Sequence, residues 1–269
     1  MELGLQSYCL RGIKDNEAVA KTVKECGLRR IEVCAVHTAF DDPAGFEALA
    51  GQYRAGGVPI VSIGVNRIGT DRRAATTLFE CAKAAGLERM SVDFPLEGID
   101  DALAIADELS ERYGVRLGIH NHGGRHWLGS VTALRWVFGR TSERVGLSLD
   151  TAWAVDSRED PVAMVREFAD RLHLVHIKDF VFARDRTPED VVVGTGTLDL
   201  AALDRAMAEV GFAGEAILEY EGDVENPVPA LRDCVKAVSR TMELVTVPVD
   251  RPATKSLHRS TSRLEPEQP

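Results

Sequence analysis

Disulfide candidates, long apolar runs and clustered basic residues are all scarce in this chain. The five cysteines are odd in number and form no C-x-x-C pair, which argues against a disulfide framework and predicts reduced thiols. No apolar run approaches the length of a membrane span, and the start "MELGLQSYCL" lacks the basic segment and apolar core of a signal peptide. We therefore expect a cytoplasmic protein that does not bind a membrane.

Positive charge is also in short supply. The net charge of −10 at pH 7 argues against binding to a phosphate backbone, which needs clustered Lys and Arg, so no nucleic-acid partner is expected. No basic cluster requires a phosphorylated substrate either, although a small anion held locally is not excluded. The favoured partner is therefore a small molecule.

The G-x-G-x-x-G pattern of a dinucleotide-binding fold is missing after the first apolar run. Eight short apolar runs start at residues 2, 29, 58, 88, 115, 144, 172 and 215, and all but the last step span about 27 to 30 residues. Segments with helical period lie between them, for example residues 16–27, 71–86 and 100–114. Strand–helix units of this length predict an α/β fold, a single (β/α)8 TIM barrel over residues 1–246, with an open doubly wound sheet as the alternative.

Two segments depart from this repeat. Residues 180–199 form a connection too long for a simple turn, and long loops at the carboxyl ends of strands are where such barrels build sites. The "GTGTLD" turn within residues 180–199 has two interpretations. It either offers backbone N–H groups to an anion, or it is a tight turn that places Asp199 at the start of the next helix. Residues 247–269, rich in Pro, Ser, Thr and charge, are expected to be a flexible tail outside the barrel.

Histidine is rare, yet three of the seven, His120, His122 and His126, fall at the end of the fifth run. Polar groups also end the other runs, where barrel enzymes carry their active sites. In chain order they are Gln6, Tyr8, Glu32, His37, Asp93, His120, Asn121, His122, Asp150, His173, His176, Lys178, Asp179, Glu219 and Glu221. Because side chains alternate along a strand, His120 and His122 share a face, as do His176 and Lys178.

The fifth to eighth runs would bring imidazole, carboxylate, imidazole and carboxylate together. A mixed N/O set of this kind suits Mn²⁺, Co²⁺, Fe²⁺, Zn²⁺ or, less well, Mg²⁺, and buried carboxylates need a cation. Taken singly, His176 fits a core histidine, Asp150 a helix cap, and Lys178 an ion pair with Asp179 or Glu221. Their occurrence together at successive strand ends favours one divalent metal ion (Mn, Co, Mg or Zn).

The stretches "LGIHNHGG", "VGLSLDTAW", "LVHIKDF", "VVVGTGTLDL" and "AILEYEGD", in this order, resemble the xylose-isomerase-like sugar phosphate isomerase/epimerase TIM barrels. "GLQSYCLR" and "RRIEVC" extend the resemblance to nearly the whole chain up to about residue 244. It implies a metal-dependent enzyme acting on a carbohydrate or cyclitol, and the analogy leaves a homo-oligomer open.

In epimerases of this family, one metal is held by Glu, Asp, His and Glu on strands five to eight. Asp150, His176 and Glu219 match the last three ligands, whereas His120 stands where those epimerases have Glu. Since the two opposed glutamates form their acid/base pair, this substitution puts the 3-epimerase mechanism in doubt. Trp153 is a second departure, because many members carry His at that place. The resemblance implies a metal site of His120, Asp150, His176 and Glu219.

The mechanism that fits is enolisation beside a carbonyl. A neutral imidazole is a suitable base, and His122 is the candidate with His120 as ligand, although the two roles are exchangeable. Glu219 and Lys178 are the other catalytic candidates. Residues proposed to contact the substrate are His126, Trp127, Trp153 and Glu221. The reaction would be isomerisation, dehydration or keto-glycoside elimination.

Three alternatives stay open at this point: a ketose 3-epimerase, an endonuclease-IV-like DNA repair enzyme, and a partner subunit that has lost its own chemistry. The net charge of −10 and the few histidines argue against the nuclease, which needs a multi-zinc cluster and a basic face. The matching Asp150, His176 and Glu219 argue against the lapsed subunit.

Overall fold

The computed structural model of the chain describes residues 2–124 and 126–242. Its strands are β1 (Leu3–Gln6), β2 (Ile31–Val33), β3 (Ile60–Ile63), β4 (Asn66–Arg67), β5 (Arg89–Asp93), β6 (Arg116–His120), β7 (Val145–Asp150), β8 (Leu172–Ile177), β9 (Phe180–Phe182), β10 (Pro188–Asp190) and β11 (Glu215–Leu218). Its helices are α1 (Asn16–Glu25), α2 (Pro43–Ala55), α3 (Arg72–Ala84), α4 (Ile99–Tyr113), α5 (Val131–Phe138), α6 (Thr151–Asp156), α7 (Pro161–Glu167), α8 (Leu200–Glu209) and α9 (Val228–Thr241). The tail expected at residues 247–269 lies outside the described residues.

Nine parallel strands form a nearly closed barrel, in the order β3-β2-β1-β11-β8-β7-β6-β5-β4. The two end strands, β3 and β4, follow one another along the chain with only Gly64 and Val65 between them. They are therefore two halves of the third barrel strand, which pairs with β2 through one half and with β5 through the other. The TIM barrel predicted from the eight apolar runs is confirmed.

Several helices begin at an aspartate whose side chain accepts a backbone N–H group of the first turn. The Asp15 side chain caps α1 by accepting the Ala18 N–H, so the cap is Asp15 and not Asn16, which is the first helical residue. Asp71, Asp160 and Asp199 cap α3, α7 and α8 in the same way. Each helix turns an apolar face to the barrel strands, as Val19 and Val23 do on α1, and these faces build the buried core.

No helix within residues 2–124 and 126–242 is long and apolar enough to cross a bilayer.

The long connection after β8 folds as an antiparallel hairpin, β9 with β10, followed by a loop that Asp179 organises. The Oδ2 atom of buried Asp179 accepts the N–H groups of Gly194 (2.9 Å) and Gly196 (2.8 Å). Its Oδ1 atom accepts those of Thr197 (2.8 Å) and Leu198 (3.0 Å). The turn is thus a structural element whose N–H donors are already engaged, and the anion-binding interpretation of "GTGTLD" is wrong.

Candidate metal centre and cavity

Side chains from the carboxyl ends of four neighbouring strands meet at one point in the barrel. His120 ends β6, Asp150 ends β7, His176 is in β8, and Glu219 directly follows β11. One ligand atom from each of these four buried residues lies within 4.8 Å of the others. Strand register explains the meeting, because Asp150 is paired with His176, and His176 with Ile217 on β11. The structure thus brings together all four residues predicted as ligands.

The donor set fits a divalent transition metal. The Nδ1 atom of His176 is 2.7 Å from Oε2 of Glu219 and 3.2 Å from Nε2 of His120, which in turn is 3.5 Å from Oδ2 of Asp150. Asp150 Oδ1 accepts the Trp153 N–H, but Oδ2 is buried and has no hydrogen-bond partner among the described residues. A buried, unpartnered carboxylate oxygen beside an imidazole is typical of a metal ligand. A bound divalent ion would be held by these four side chains.

The charges at this point are strongly coupled. Burial raises the pKa of Asp150 to about 6, although the Lys178 ammonium opposes the change. Burial disfavours the charged form of His176, yet the carboxylates of Glu32 and Glu219 outweigh it and raise its pKa to about 10. An imidazole with so high a pKa indicates a surplus of carboxylate around it. Such a surplus is what a divalent cation neutralises.

Glu32 and Gln6 belong to this site, although sequence reasoning assigned them no role. Glu32 is completely buried, and its Oε1 atom is 3.0 Å from Nε2 of His176, on the other side of the ring from Glu219. The Gln6 amide donates to the same Oε1 atom at 2.6 Å. The available signal was a single Glu between the apolar residues Ile31 and Val33 of the run "RRIEVC".

A cavity of about 390 Å³ opens beside the cluster. Its lining includes Tyr8, Val36, His122, Trp153, Glu219 and Glu221. A wider groove between α1 and α2 lies on the outer surface, and none of its lining residues belongs to the cluster. The cavity therefore exposes two of the predicted ligands, His120 and Glu219, which are among its lining residues.

His122 lies between the cluster and the cavity. Its ring centroid is 4.5 Å from that of His120. Both rings line the cavity, but only His120 belongs to the cluster. Burial, reinforced by His120 and His126, lowers the pKa of His122 to about 4. The ring is therefore neutral near pH 7 and keeps a lone pair for a proton. Gly123 is required beside it, since a Cβ atom there would overlap the Trp153 ring.

Lys178 is buried beneath the cavity among three carboxylates. Its Nζ atom contacts Glu221 and lies 3.6 Å from Oε1 of Glu219 and 3.8 Å from Oδ2 of Asp190. These carboxylates outweigh burial and raise the pKa of the lysine. Of the two ion pairs considered from sequence, the structure forms the one with Glu221, whereas Asp179 binds the "GTGT" turn.

Two residues predicted to contact substrate lie elsewhere. His126 does not line the cavity, and its Nε2 atom is 3.2 Å from Oδ1 of Asp93, which also pairs with Arg67. The Trp127 indole N–H donates to the Phe94 carbonyl at 2.8 Å, and the ring packs on the core. Trp153 and Glu221, the other two, do line the cavity.

The family model for the xylose isomerase-like TIM barrel matches residues 20–239, and the chain belongs to this family. Solved structures of sugar isomerases, epimerases and a dehydratase share its fold. Among curated proteins, the rhizopine catabolism protein MocC of Rhizobium meliloti is 28% identical over 139 residues. That match covers 46% of this chain and 42% of MocC, so the chain spans less than half of the relative's length.

Three solved structures superpose closely on the barrel. The probable 3-DHS dehydratase AsbF of Bacillus anthracis has a TM-score of 0.71 at 14% identity, over 89% of this chain and 99% of AsbF. A zinc-bound IOLI protein has a TM-score of 0.70 at 17% identity, over 91% and 100%. An L-ribulose 3-epimerase has a TM-score of 0.70 at 17% identity, over 90% and 95%. At these identities the superpositions establish the fold.

Proposed function

We propose that the chain is a divalent-metal-dependent enzyme that acts on a sugar, keto-sugar or cyclitol by enolisation. The observation that carries this proposal is the buried cluster of His120, Asp150, His176 and Glu219 beside a cavity. The zinc-bound relative of the same fold supports a metal at such a site. A bound divalent ion supplies Lewis acidity, which makes a carbon-bound proton next to a carbonyl easier to remove.

The remaining steps belong to side chains of this protein. His122, neutral and facing the cavity, accepts the proton that leaves the carbon beside the carbonyl. Glu219 borders the cavity as well and acts as ligand and second proton acceptor. The Lys178 ammonium forms ion pairs with Glu219 and Glu221, and it stabilises negative charge that develops on the substrate near them. Glu221 and Trp153 orient the substrate against the cavity wall, whereas His126 and Trp127 lie outside this cavity.

The cluster favours isomerisation, dehydration or keto-glycoside elimination over 3-epimerisation. A 3-epimerase of this family needs two opposed glutamates, whereas this cluster has His120 in the place of one of them. The lining residues of the cavity include no Lys or Arg, which suits an uncharged carbohydrate or cyclitol. We further propose a cytoplasmic enzyme with manganese, cobalt, magnesium or zinc, without a nucleic-acid or membrane partner, and with a homo-oligomer open to test. We also propose that the metal site belongs to a single barrel domain, with the bounds 1–246 predicted from the sequence.

The first experiment measures metal content and affinity. The purified protein, stripped with a chelator and dialysed against Mn²⁺, Co²⁺ or Zn²⁺, should bind one ion per chain. Asp150→Asn and Glu219→Gln should lose this ion, because each removes a charged ligand. Glu215→Gln is the matched control, since Glu215 is a buried strand carboxylate that pairs with Arg30 at the start of β11. It should bind the metal like the wild type.

The second experiment detects enolisation directly. Keto-sugars and inososes are incubated with the enzyme in D₂O, and exchange of the proton next to the carbonyl is followed by NMR. Exchange should depend on metal and should stop in Asp150→Asn and Glu219→Gln. Activity that survives both substitutions and chelator treatment would show that the proposed function is wrong.

A further inference from the structure

We infer that Glu32 is a positioning residue that holds the His176 ring so that its Nδ1 atom faces the metal centre. The inference rests on the proposed function, because it assumes that the cluster binds a metal ion. It adds a residue outside the four candidate ligands and assigns separate roles to the two nitrogens of one imidazole. A ligating histidine commonly donates its second ring N–H to a carboxylate, and this fixes both tautomer and ring orientation.

The two nitrogens of His176 face opposite carboxylates. Nδ1 is 2.7 Å from Oε2 of Glu219, within the cluster, and Nε2 is 3.0 Å from Oε1 of Glu32, outside it. Both His176 and Glu32 are completely buried, so no bulk water competes for the Nε2 proton. A neutral ring that carries its proton on Nε2 would present this proton to Glu32, 3.0 Å away, and would keep the lone pair of Nδ1 for the metal. Glu32 thereby selects the tautomer that ligation requires.

Glu32 is itself fixed in place by β1. Gln6 and Glu32 are paired residues of adjacent parallel strands, and the Gln6 amide donates to Oε1 of Glu32 at 2.6 Å. The same amide nitrogen lies 3.3 Å from the Gly64 carbonyl, and the Gln6 Oε1 atom accepts the Tyr8 N–H at 3.2 Å. These contacts determine which end of the amide faces Glu32. A row of three side chains, Gln6, Glu32 and His176, thus crosses the barrel from β1 to β8.

The test compares Co²⁺ binding by the full-length wild type, Glu32→Gln and Glu32→Ala, with Glu215→Gln as the control for a lost buried carboxylate. Affinity is measured by competition with a chelator, and the visible absorption of bound Co²⁺ reports the ligand geometry. We expect about tenfold weaker binding for Glu32→Gln, which keeps an acceptor oxygen, and about 100-fold for Glu32→Ala. The Co²⁺ spectrum should change in both variants and stay unchanged in the control.

The outcomes separate this inference from the proposed function. If the wild type binds Co²⁺ and the folded Glu32→Gln variant matches its affinity and spectrum, the positioning role is wrong and the proposed function stands. If the wild type binds no metal ion, the proposed function fails and this inference fails with it. If Glu32→Ala does not fold, Glu32→Gln decides alone, since it preserves side-chain volume. A graded loss of affinity with a changed spectrum supports the inference.

Discussion

At the residue scale, two tryptophans with the same expected role occupy different surroundings. Trp153 lines the cavity and packs edge-on against Phe180, with ring centroids 4.8 Å apart. Trp127 lies outside the cavity and is tied to the Phe94 carbonyl. Both residues follow a barrel strand in the sequence, but the orientation of Trp127 depends on which backbone carbonyl accepts its indole N–H. The sequence does not reveal that choice, because Phe94 belongs to another strand–helix unit.

The two tryptophans therefore make a matched pair of variants. Trp153→Ala should raise KM about tenfold, because it removes an aromatic wall from the cavity, whereas its effect on kcat should be smaller. Trp127→Phe should leave KM unchanged and lower the free energy of unfolding by about 1 kcal/mol through the lost hydrogen bond. Steady-state kinetics and urea unfolding measure these effects. An equal rise of KM in both variants would contradict the assignment.

His173 makes stability depend on pH. Its Nδ1 N–H donates to the Leu117 carbonyl at 3.0 Å, and burial lowers its pKa to about 4, against about 6.5 when unfolded. Above pH 6.5 the ring is neutral in both states, so this contribution to stability is fully present. As the pH falls from 6.5 towards 4, His173 becomes protonated in the unfolded state but stays neutral in the folded state. The free energy of unfolding therefore decreases.

The wild type should therefore lose up to about 3 kcal/mol more between pH 6.5 and 4 than His173→Gln, which has no group that titrates there. Urea unfolding in the presence of a chelator, across this range, measures both curves and removes any contribution from bound metal. Parallel curves for the two proteins would show that the buried ring is not the cause.

At the scale of the element, periodicity predicted the helices and most strands but not the interruptions. The eight apolar runs correspond to the eight barrel positions, because parallel strands buried on both faces are continuously apolar. The split of the third position into β3 and β4, and the β9–β10 hairpin, were not predicted. Both depend on pairing with distant strands, which a local pattern does not encode. Residues 180–199 were recognised as a special segment only by their length.

The hydrogen bonds from the turn at residues 194–198 to the Asp179 carboxylate allow a stability prediction for the long connection after β8. Asp179→Ala leaves four backbone N–H groups without their charged acceptor, among them that of buried Leu198, and should lower the free energy of unfolding by about 3 kcal/mol. Asp199→Ala, which removes only the cap of α8, should cost about 1 kcal/mol. Urea unfolding of both variants checks the difference. Equal losses would mean that the loop does not depend on its carboxylate.

At the scale of the whole molecule, the candidate ligands come from β6, β7, β8 and the residue after β11, so an ion bound by them would join a large part of the barrel. Convergence of the strand ends predicted that imidazoles and carboxylates would meet, and the family resemblance implied these four residues. Glu32 was noted as a strand-end residue but received no role, because its contact with His176 exists only once β2 and β8 face each other across the barrel.

Metal binding should consequently stabilise the whole fold. An ion that binds only the folded state adds about 2.7 kcal/mol at 100 times its Kd. Thermal unfolding of the chelator-treated protein should therefore shift to higher temperature as Zn²⁺ or Co²⁺ is added. Asp150→Asn should show no such shift, whereas Glu215→Gln should behave like the wild type. A shift of the same size in Asp150→Asn would place the ion elsewhere.

The position of β1 between β2 and β11 affects the order in which the barrel forms during synthesis. During synthesis the first strand leaves the ribosome early, yet one of its two neighbours is made only near the end of the barrel. Glu219 follows that late strand, so the fourth candidate ligand is also the last to appear. A nascent chain therefore presents His120, Asp150 and His176 before it is able to enclose an ion. The barrel and the candidate metal centre are therefore completed together.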